Sequence, residues 1–458
     1  MAKIKDVIDE EKILAILEKT KNPDTKKVLD ILDKAKDKKG LSMEETGILL
    51  NTEDLELREK MFDISGKIKN EIYGERLVFF APLYLSSFCV NDCDYCGFQR
   101  RNKAPRKKLT LKEVEEQVKI LEDMGHKRLL LEFGEHSVES PIDYVVDVIK
   151  TVYKTKSGRG EIRRVNINIA ATTVEDYRKL KEAEIGTYQL FQETYHYDTY
   201  KKMHHGPKAD YERQLFALDR AFRAGIDDFG IGVLFGLFDY KFEVLALLAH
   251  SEYLEKTHNV GPHTISVPRF QPAPTVNLDL PHKVSEDQLL KIISILRMAI
   301  PYTGMIISTR ESPELREKAF KIGISQTSAA SRTTPGGYGK NEEMQQFFLQ
   351  DHRSVDEIVK SILEIGLLPS YCTACYRLGR TGETIMKLIK AGEIHNLCRP
   401  NAILTFKEYI EDYATEEVKT LGLKTIDNYL KQIPDDKIRK ETRIRLERIA
   451  NGERDLYF

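Results

Sequence analysis

Eight apolar, β-prone runs recur between residues 77 and 331, and amphipathic stretches with helix-capping signals separate them. Strands that alternate with helices form a parallel sheet, because each helix carries the chain back to the start of the next strand. A count of eight favours a sheet closed into a (β/α)8 barrel over an open sheet. The sequence therefore predicts an α/β fold of the TIM-barrel type. The predicted strands are Leu77–Leu85, Arg128–Glu135, Val165–Ala171, Tyr188–Tyr195, Asp228–Leu237, Thr264–Phe270, Met305–Arg310 and Ser325–Ser331.

Capping signals mark where helices begin. A serine or threonine followed three residues later by Glu or Gln predicts a capping box, and a serine before proline predicts an N-cap with proline at the first helical position. The predicted helix starts are Ser42, Thr110, Thr172, Ser285, Ser312 and Ser354.

Helical segments flank the predicted barrel on both sides. The first 74 residues are rich in Lys and Glu and have helical periodicity, and the chain becomes helical again from about residue 340. We therefore expect a helical N-terminal extension over 1–74, the barrel over 75–339, and a helical C-terminal domain over 340–458 that carries a second metal site.

Composition narrows the class of protein. The 458 residues are 41% hydrophobic, which is enough for a sizeable core, and the net charge of −1 does not favour nucleic-acid or anionic-membrane partners. No apolar run approaches the ~20 residues of a membrane helix, and the first residues lack the apolar core of a secretion signal. We expect a cytoplasmic protein with reduced thiols, in which cysteines bind metal rather than form disulfides.

All six cysteines fall into two triplets, Cys89–Cys93–Cys96 and Cys372–Cys375–Cys398. Three thiolates on a 4Fe–4S cube leave one iron open to bind a substrate or cofactor, whereas four thiolates suit electron transfer. Two such triplets predict two iron–sulfur sites that perform chemistry. Ordinary buried cysteines, or a zinc knuckle that lacks one ligand, are the alternatives.

The first triplet directly follows the first predicted strand, at the C-terminal rim where barrel enzymes place their active sites. Its spacing, with three residues, then two, and Tyr95 just before the last cysteine, resembles the radical S-adenosylmethionine (SAM) superfamily. The resemblance implies that Cys89, Cys93 and Cys96 hold a 4Fe–4S cluster. It also implies that SAM binds the open iron and is cleaved to a 5′-deoxyadenosyl radical.

The same resemblance implies contacts with SAM at successive strand ends. Gly134-Glu135 resembles the Gly-Gly-Glu-like turn of the family, with Phe133 in place of the first glycine. Taken singly, each residue would suit a salt bridge or a packing contact, but together they predict a cofactor site. The other candidates are Glu193 for the SAM ammonium or ribose, Arg213 for its carboxylate, and Gly232 in the glycine-containing fifth strand, near adenine.

The last three predicted strands supply candidates for binding a substrate. Arg269, Arg310 and Ser328 lie at or near the ends of strands six, seven and eight. A guanidinium suits bidentate capture of a carboxylate such as that of an α-amino acid. The alternative for each arginine is an ion pair at the barrel rim.

The second triplet, Cys372-x2-Cys375-x22-Cys398, resembles the tyrosine lyase family of FeFe-hydrogenase maturation, and the segments Gly261–Arg269 and Ser331–Tyr338 extend the resemblance over essentially the whole chain. The resemblance implies cleavage of L-tyrosine to p-cresol and dehydroglycine, which is converted to CO and cyanide on iron. It also implies an auxiliary 4Fe–4S cluster joined to an extra iron that is held by His263 and a free cysteine. Implied partners are a reductant such as flavodoxin or ferredoxin and other hydrogenase maturation proteins.

Three other functions remain open. The 2-iminoacetate synthase of thiamine biosynthesis resembles the barrel motifs but lacks the C-terminal triplet, so a lyase that makes only dehydroglycine is one alternative. A cluster scaffold or electron carrier without lyase activity is the second. An interaction protein stabilised by zinc is the third.

The spacing of His263 and Arg269 predicts that the two metal sites lie at opposite ends of the barrel. His263 precedes the sixth predicted strand and Arg269 ends it, and six residues of strand span ~20 Å. The auxiliary cluster is therefore expected at the bottom of the barrel, opposite SAM, with a polar channel through the interior. His395, near Cys398, is a rival iron ligand.

Overall fold

A closed parallel barrel forms the centre of the computed structural model, which describes residues 2–274, 276, 278–339 and 345–458. β1 pairs with β2 on one side and with β10 on the other, so eight strands close into a cylinder in the order β1, β2, β5, β6, β7, β8, β9, β10. All eight predicted strands are confirmed, most of them in a shorter form. The strands are β1 (Arg76–Ser86), β2 (Arg128–Phe133), β3 (Lys156–Ser157), β4 (Gly160–Glu161), β5 (Arg164–Asn168), β6 (Tyr188–Gln189), β7 (Phe229–Gly232), β8 (Thr264–Ser266), β9 (Gly304–Ile307), β10 (Gln326–Ser328) and β11 (Leu368–Ser370).

Three short strands were not predicted. β3 and β4 form a two-residue antiparallel pair outside the barrel. β11 pairs in parallel with the start of β1, with Leu77 opposite Pro369. A three-residue strand with a central proline lacks the length and the alternation that identify a strand in a sequence.

Helices surround the barrel and form most of both flanking segments. No helix among the described residues combines the length and the apolar character that a membrane span requires. The helices are α1 (Ile4–Val7), α2 (Glu10–Lys19), α3 (Thr25–Ala35), α4 (Met43–Asn51), α5 (Leu55–Tyr73), α6 (Leu111–Asp123), α7 (Ile142–Lys154), α8 (Val174–Glu182), α9 (Tyr197–Met203), α10 (Tyr211–Leu215), α11 (Ala217–Arg223), α12 (Tyr240–His258), α13 (Glu286–Ala299), α14 (Pro313–Ile322), α15 (Val355–Glu364), α16 (Ala374–Arg377), α17 (Gly382–Lys390), α18 (Ile394–Asp412), α19 (Glu416–Lys431) and α20 (Asp436–Ala450).

Five of the six predicted helix starts are confirmed. The boxes at Ser42, Thr110, Ser285 and Ser354 are present, and Ser312 caps α14 ahead of its N1 proline. The prediction for α8 was wrong by one residue. Thr173, and not Thr172, accepts a hydrogen bond from the backbone N–H of Asp176, while the Thr172 hydroxyl donates to the Asp176 carboxylate.

The flanking helices are tied to the barrel by packing and by buried polar contacts. The Lys291 ammonium on α13 is buried and donates to the carbonyl oxygens of Leu50 and Thr52 at 2.9 and 2.6 Å. Helix α18 of the C-terminal segment packs on α5, β1 and β11. The C-terminal segment therefore covers the N-terminal ends of the barrel strands. The predicted boundary at residue 340 lies outside the described residues.

A buried ion pair attaches the segment before α15 to the barrel. Arg316 on α14 is paired with Asp351, and both side chains are fully buried. The same guanidinium donates to the carbonyl oxygen of Ser328 at 2.6 Å and to the hydroxyl of Thr327 at 2.8 Å. The pair therefore holds β10 and the 345–354 segment together.

Replacing Asp351 with Asn should lower the free energy of unfolding by about 3 kcal/mol, because the substitution leaves the Arg316 charge buried without a counter-ion. Urea unfolding followed by circular dichroism measures the loss. Asp427→Asn is the matched control, because Asp427 forms an exposed pair with Lys431 on α19 and should contribute less than about 1 kcal/mol. Equal effects of the two substitutions would contradict this role for the buried pair.

Candidate active site

The first cysteine triplet lies in the loop after β1 and lines a cavity at the C-terminal ends of the barrel strands. We call this cavity the upper cavity. Parallel strands that end at one rim bring their following loops together, so residues distant in the sequence meet here. Of the sequence-predicted residues, the structure brings Cys89, Cys93, Cys96, Tyr95, Gly134, Glu135 and Glu193 to its wall.

The thiols of this loop fit a cluster rather than a single ion. Burial raises the pKa of Cys96 to about 11 and raises the pKa of Cys93 still further, so ionisation requires bound metal. Among the described residues no three side chains converge to hold one metal ion. A 4Fe–4S cube takes each thiolate on a different iron, and all three thiols of the loop line this one cavity.

Glycine at position 134 allows the end of β2 to approach the cysteine loop. A Cβ atom there would lie 2.2 Å from the carbonyl oxygen of Phe88 and 3.3 Å from Cβ of Cys89. Gly232 has a similar role on β7, where a Cβ atom would lie 2.9 Å from the carbonyl oxygen of Ser266. Gly232 is buried in the barrel wall and is not among the residues that line the upper cavity.

Glu135 is held by two donors. Arg213 donates to its Oε1 and Asn91 donates to its Oε2, each at 2.6 Å. Arg213 also donates to the carbonyl oxygen of Ala171 and does not line the upper cavity. The predicted contact of Arg213 with SAM therefore stays a prediction, and its structural contact is to Glu135.

Glu193 is positioned by an unusual backbone conformation and by a buried lysine. Its φ of +67° is in the left-handed region, and its carboxylate accepts a hydrogen bond from Lys208 at 2.9 Å. Burial lowers the pKa of Lys208, but the charge of Glu193 outweighs burial and raises it. Lys208 thus places a permanent positive charge beside the cysteine loop. The sequence analysis missed Lys208 and Asn91, because neither lies at a strand end.

A second cavity, the substrate chamber, lies deeper in the barrel and is lined by Arg310 and Ser328 but not by Arg269. Arg269 forms a two-oxygen ion pair with Glu311, with its Nε 3.1 Å from each oxygen. Arg310 has no carboxylate partner among the described residues, and its guanidinium carbon lies 3.4 Å from the ring centroid of Phe347. Arg310 is thus an available cation, whereas the charge of Arg269 is already neutralised.

The upper cavity and the substrate chamber share a wall. Glu132 belongs to this wall and was missed by the sequence analysis. A signal existed, because strand alternation in Arg128–Phe133 places Glu132 on the inward face with Arg128 and Leu130. The shared residues are Tyr84, Tyr95, Cys96, Glu132, Asn168, Glu193 and Gln346.

The second triplet lines a third cavity, the lower cavity, at the N-terminal ends of the strands. Cys372, Cys375, Cys398 and His263 all contribute to its wall. Burial raises the pKa of Cys372 to about 12 and also raises the pKa of Cys375. His395 lies instead in an outer cleft, away from these residues.

Two guanidinium groups also face the lower cavity. Arg128 donates to the carbonyl oxygen of Cys372 at 2.8 Å, and Arg76 lies beside the thiols of Cys372 and Cys398. Cations at this end of the barrel favour an anionic occupant, such as a thiolate-ligated cluster.

His263 is oriented by neighbours that the sequence analysis missed. Its Nδ1 lies 3.1 Å from the carboxylate of Asp228, and its Nε2 lies 3.4 Å from the hydroxyl of Tyr376. Burial raises the pKa of Asp228, but His263 and Arg164 outweigh burial and bring it to about 2. Asp228 is therefore an anion beside Nδ1, and Nε2 is on the other side of the imidazole ring. Tyr376 follows Cys375 directly, and this adjacency was the available signal.

The lower cavity and the substrate chamber are lined by consecutive inward positions of the same strands. Val78, Arg128 and Gln326 line the lower cavity, and residues 80, 130 and 328 line the chamber. The wall between them is partly polar, since Gln189 and Ser266 also face inward. A continuous channel stays a prediction.

Comparison with known proteins agrees with this geometry. The family model described as the radical SAM superfamily matches residues 83–251, and the biotin and thiamin synthesis associated domain matches residues 266–368. The barrel and its upper cavity are those of a radical SAM enzyme, the class whose cofactors are a 4Fe–4S cluster and SAM.

Individual relatives narrow the class. A crystal structure of HydG, described as a maturase of the [FeFe]-hydrogenase, is 56% identical, covers 99% of this chain and 100% of its own, and has a TM-score of 0.97. The HydG structure from Carboxydothermus hydrogenoformans is 39% identical over 97% of this chain and 100% of its own, with a TM-score of 0.86. The 2-iminoacetate synthase of Salmonella typhimurium is 30% identical over 75% of this chain and 90% of its own. The chain belongs to the HydG family of [FeFe]-hydrogenase maturases.

Proposed function

We propose that this protein is a radical SAM lyase that cleaves L-tyrosine to p-cresol and dehydroglycine and converts dehydroglycine to CO and cyanide on iron for [FeFe]-hydrogenase assembly. The observation that carries the proposal is a three-cysteine cavity at each end of one barrel, in a chain of the HydG family. One end then serves carbon–carbon cleavage, and the other serves assembly of the iron product.

At the upper cavity, the residues present suit a cluster and SAM. Cys89, Cys93 and Cys96 would hold the 4Fe–4S cluster, which with SAM supplies a hydrogen-abstracting radical. Among the other wall residues, Glu135 and Glu193 offer carboxylates to the polar groups of SAM. Arg213 holds Glu135 in place. The remaining predicted contacts are Tyr95 and the close-approach glycines Gly134 and Gly232.

The substrate chamber suits an aromatic amino acid. Arg310 is the cation that would bind the carboxylate, and the Ser328 hydroxyl lies on the same wall. Phe191 and Phe347 supply aromatic surface for the side-chain ring of tyrosine. The side chain of Arg269 orients Glu311. The carbonyl oxygen of Arg269 lies 3.4 Å from the guanidinium of Arg310 and helps to position it.

The lower cavity would hold the auxiliary 4Fe–4S cluster. Cys372, Cys375 and Cys398 supply three thiolates, and His263 with a free cysteine would hold the extra iron. The guanidiniums of Arg76 and Arg128 offset the negative charge of the thiolates. A flavodoxin or ferredoxin is the proposed reductant, and other hydrogenase maturation proteins are the proposed acceptors.

The alternatives explain less of the molecule. A lyase that makes only dehydroglycine has no use for a second buried triplet beside a carboxylate-oriented histidine. A scaffold without lyase activity leaves the half-buried cation Arg310 in the chamber without a ligand.

The test is to incubate the anaerobically reconstituted, reduced protein with SAM and L-tyrosine and to assay 5′-deoxyadenosine, p-cresol and CO together. All three products are expected. Deoxyadenosine and p-cresol without CO, with both clusters loaded, would support the dehydroglycine-only lyase. None of the three, with both clusters loaded, would contradict the proposal.

The two cysteine triplets should separate the two halves of the reaction. Replacing Cys372 and Cys375 with Ala should leave p-cresol formation measurable and abolish CO release, because SAM and tyrosine bind at the opposite end. Replacing Cys93 and Cys96 with Ala should abolish deoxyadenosine formation. Loss of deoxyadenosine in the first variant, with the upper cluster intact by electron paramagnetic resonance, would show that this division is wrong.

Asp228→Asn should weaken iron binding at His263 by about 10- to 100-fold, the usual effect of removing the carboxylate that orients a ligating histidine. Iron analysis and electron paramagnetic resonance of the auxiliary cluster measure this loss. Asp219→Asn is the matched control, because Asp219 forms a comparable pair with His258 at 2.9 Å between α11 and α12. An unchanged iron content in the Asp228 variant would show that this histidine–carboxylate pair does not hold iron at the auxiliary site.

A further inference from the structure

Glu132 occupies the boundary between the cavity proposed for SAM and the chamber proposed for tyrosine. It is the inward-facing residue near the end of β2, opposite Tyr84 on β1 and Asn168 on β5. It lines both cavities. A group at this wall can reach the part of the substrate that faces the cofactor.

Arg310 acts on the charge of Glu132 only from beyond ion-pair distance. The Glu132 carboxyl is engaged by the Asn168 side chain, and no ion pair of Glu132 is found within the described residues. The neighbouring carboxylates are different, because Glu193 is paired with Lys208 and Glu135 with Arg213. Glu132 is thus the carboxyl of this wall that is left open for a cation from outside.

Arg310 is the corresponding open cation. It lines the chamber, it is half-buried, and no carboxylate lies within ion-pair distance in the part of the chain that the structure describes. One open cation and one open carboxyl in a single chamber match the two charges of a zwitterionic α-amino acid. An amino acid with both charges satisfied needs no further protein group at its backbone.

The surroundings of Glu132 favour proton exchange near neutral pH. Burial raises the pKa of Glu132 to about 8, with the Glu193 charge adding to this effect and the Asn168 hydrogen bond and Arg310 opposing it. A group with such a pKa accepts a proton from an ammonium more readily than an exposed carboxylate does. The titratable and polar side chains that line the same space are Tyr84, Tyr95, Cys96, Asn168, Glu193, Arg310 and Gln346.

We propose that Glu132 binds the α-ammonium group of the amino-acid substrate and accepts one of its protons. In this step one N–H bond of the ammonium breaks, its electron pair stays on nitrogen, and the proton bonds to a carboxylate oxygen of Glu132. The products are a neutral amine and a neutral carboxylic acid. A neutral amine can lose a hydrogen atom without forming a nitrogen-centred cation, so the transfer prepares the amino group for radical chemistry. This inference rests on the proposed function, because it takes tyrosine as the substrate.

Binding measurements on the reconstituted protein test the first half of this role. Glu132→Gln should weaken the binding of L-tyrosine roughly 10- to 100-fold, as expected for loss of a hydrogen bond to a charged group. Its affinity for 3-(4-hydroxyphenyl)propionate, which lacks the amino group, should stay unchanged. Glu122→Gln is the matched control, because Glu122 on α6 is also a buried carboxyl with a pKa raised by burial, to about 7, and it lies outside all three cavities.

The pH profile tests the second half. In the unaltered protein, kcat/KM for p-cresol formation should rise with pH through the region near 8, because only the ionised carboxylate accepts the proton. Glu132→Gln should flatten this rise and lower kcat by about 100-fold or more. Glu132→Asp keeps the carboxylate and should restore part of the rise, and iron content and SAM binding verify that each variant is folded.

The outcomes are distinguishable. If Glu132→Gln weakens the binding of L-tyrosine and of 3-(4-hydroxyphenyl)propionate equally, or weakens the binding of neither, the inference is overturned and the lyase proposal stays intact. An unaltered protein that binds neither ligand and forms no p-cresol would contradict the proposed function, and the inference would fail with it.

Discussion

The pairing of β1 with both β2 and β10 is the interaction on which the rest of the molecule depends. It closes a parallel sheet, and a closed parallel sheet has two distinct ends because every strand runs in the same direction. Loops that follow the strands meet at one end, and the segments that precede them meet at the other. β1 also extends beyond the cylinder and pairs with β11, which brings the second cysteine triplet to the end opposite the first.

The fold was predictable because its signals are local. Strand runs and caps such as Ser312–Pro313 depend on residues that are neighbours in the sequence, and the structure follows them closely. The wrong residue at α8 shows the limit. Two adjacent threonines can both bond Asp176, and only the backbone conformation decides which one caps the helix.

The site was predictable where a motif carries the chemistry and not where pairing in space decides it. The motif resemblance and the predicted strand ends identified the first cysteine triplet, Gly134 and Glu135, which lie at the same end of the barrel. Whether an arginine is free or neutralised depends on a partner elsewhere in the chain. Arg269 and Arg310 looked equivalent in the sequence, but Glu311 neutralises the first and leaves the second available. Lys208 was missed because it does not lie at a strand end, and its partner Glu193 is 15 residues away.

The position of two cysteine-lined cavities at opposite ends of one barrel also bears on the character of its interior. An ordinary barrel core is packed with branched apolar side chains, and such packing would block transfer between the two ends. Here the apolar cluster of Phe80, Leu130 and Ile306 fills only part of the interior. Polar or small residues such as Gln189, Ser266 and Gln326 face inward elsewhere. Buried polar groups destabilise a core unless they are satisfied by hydrogen bonds, so the inward polar residues cost packing energy, and the predicted polar channel between the two cavities would account for them.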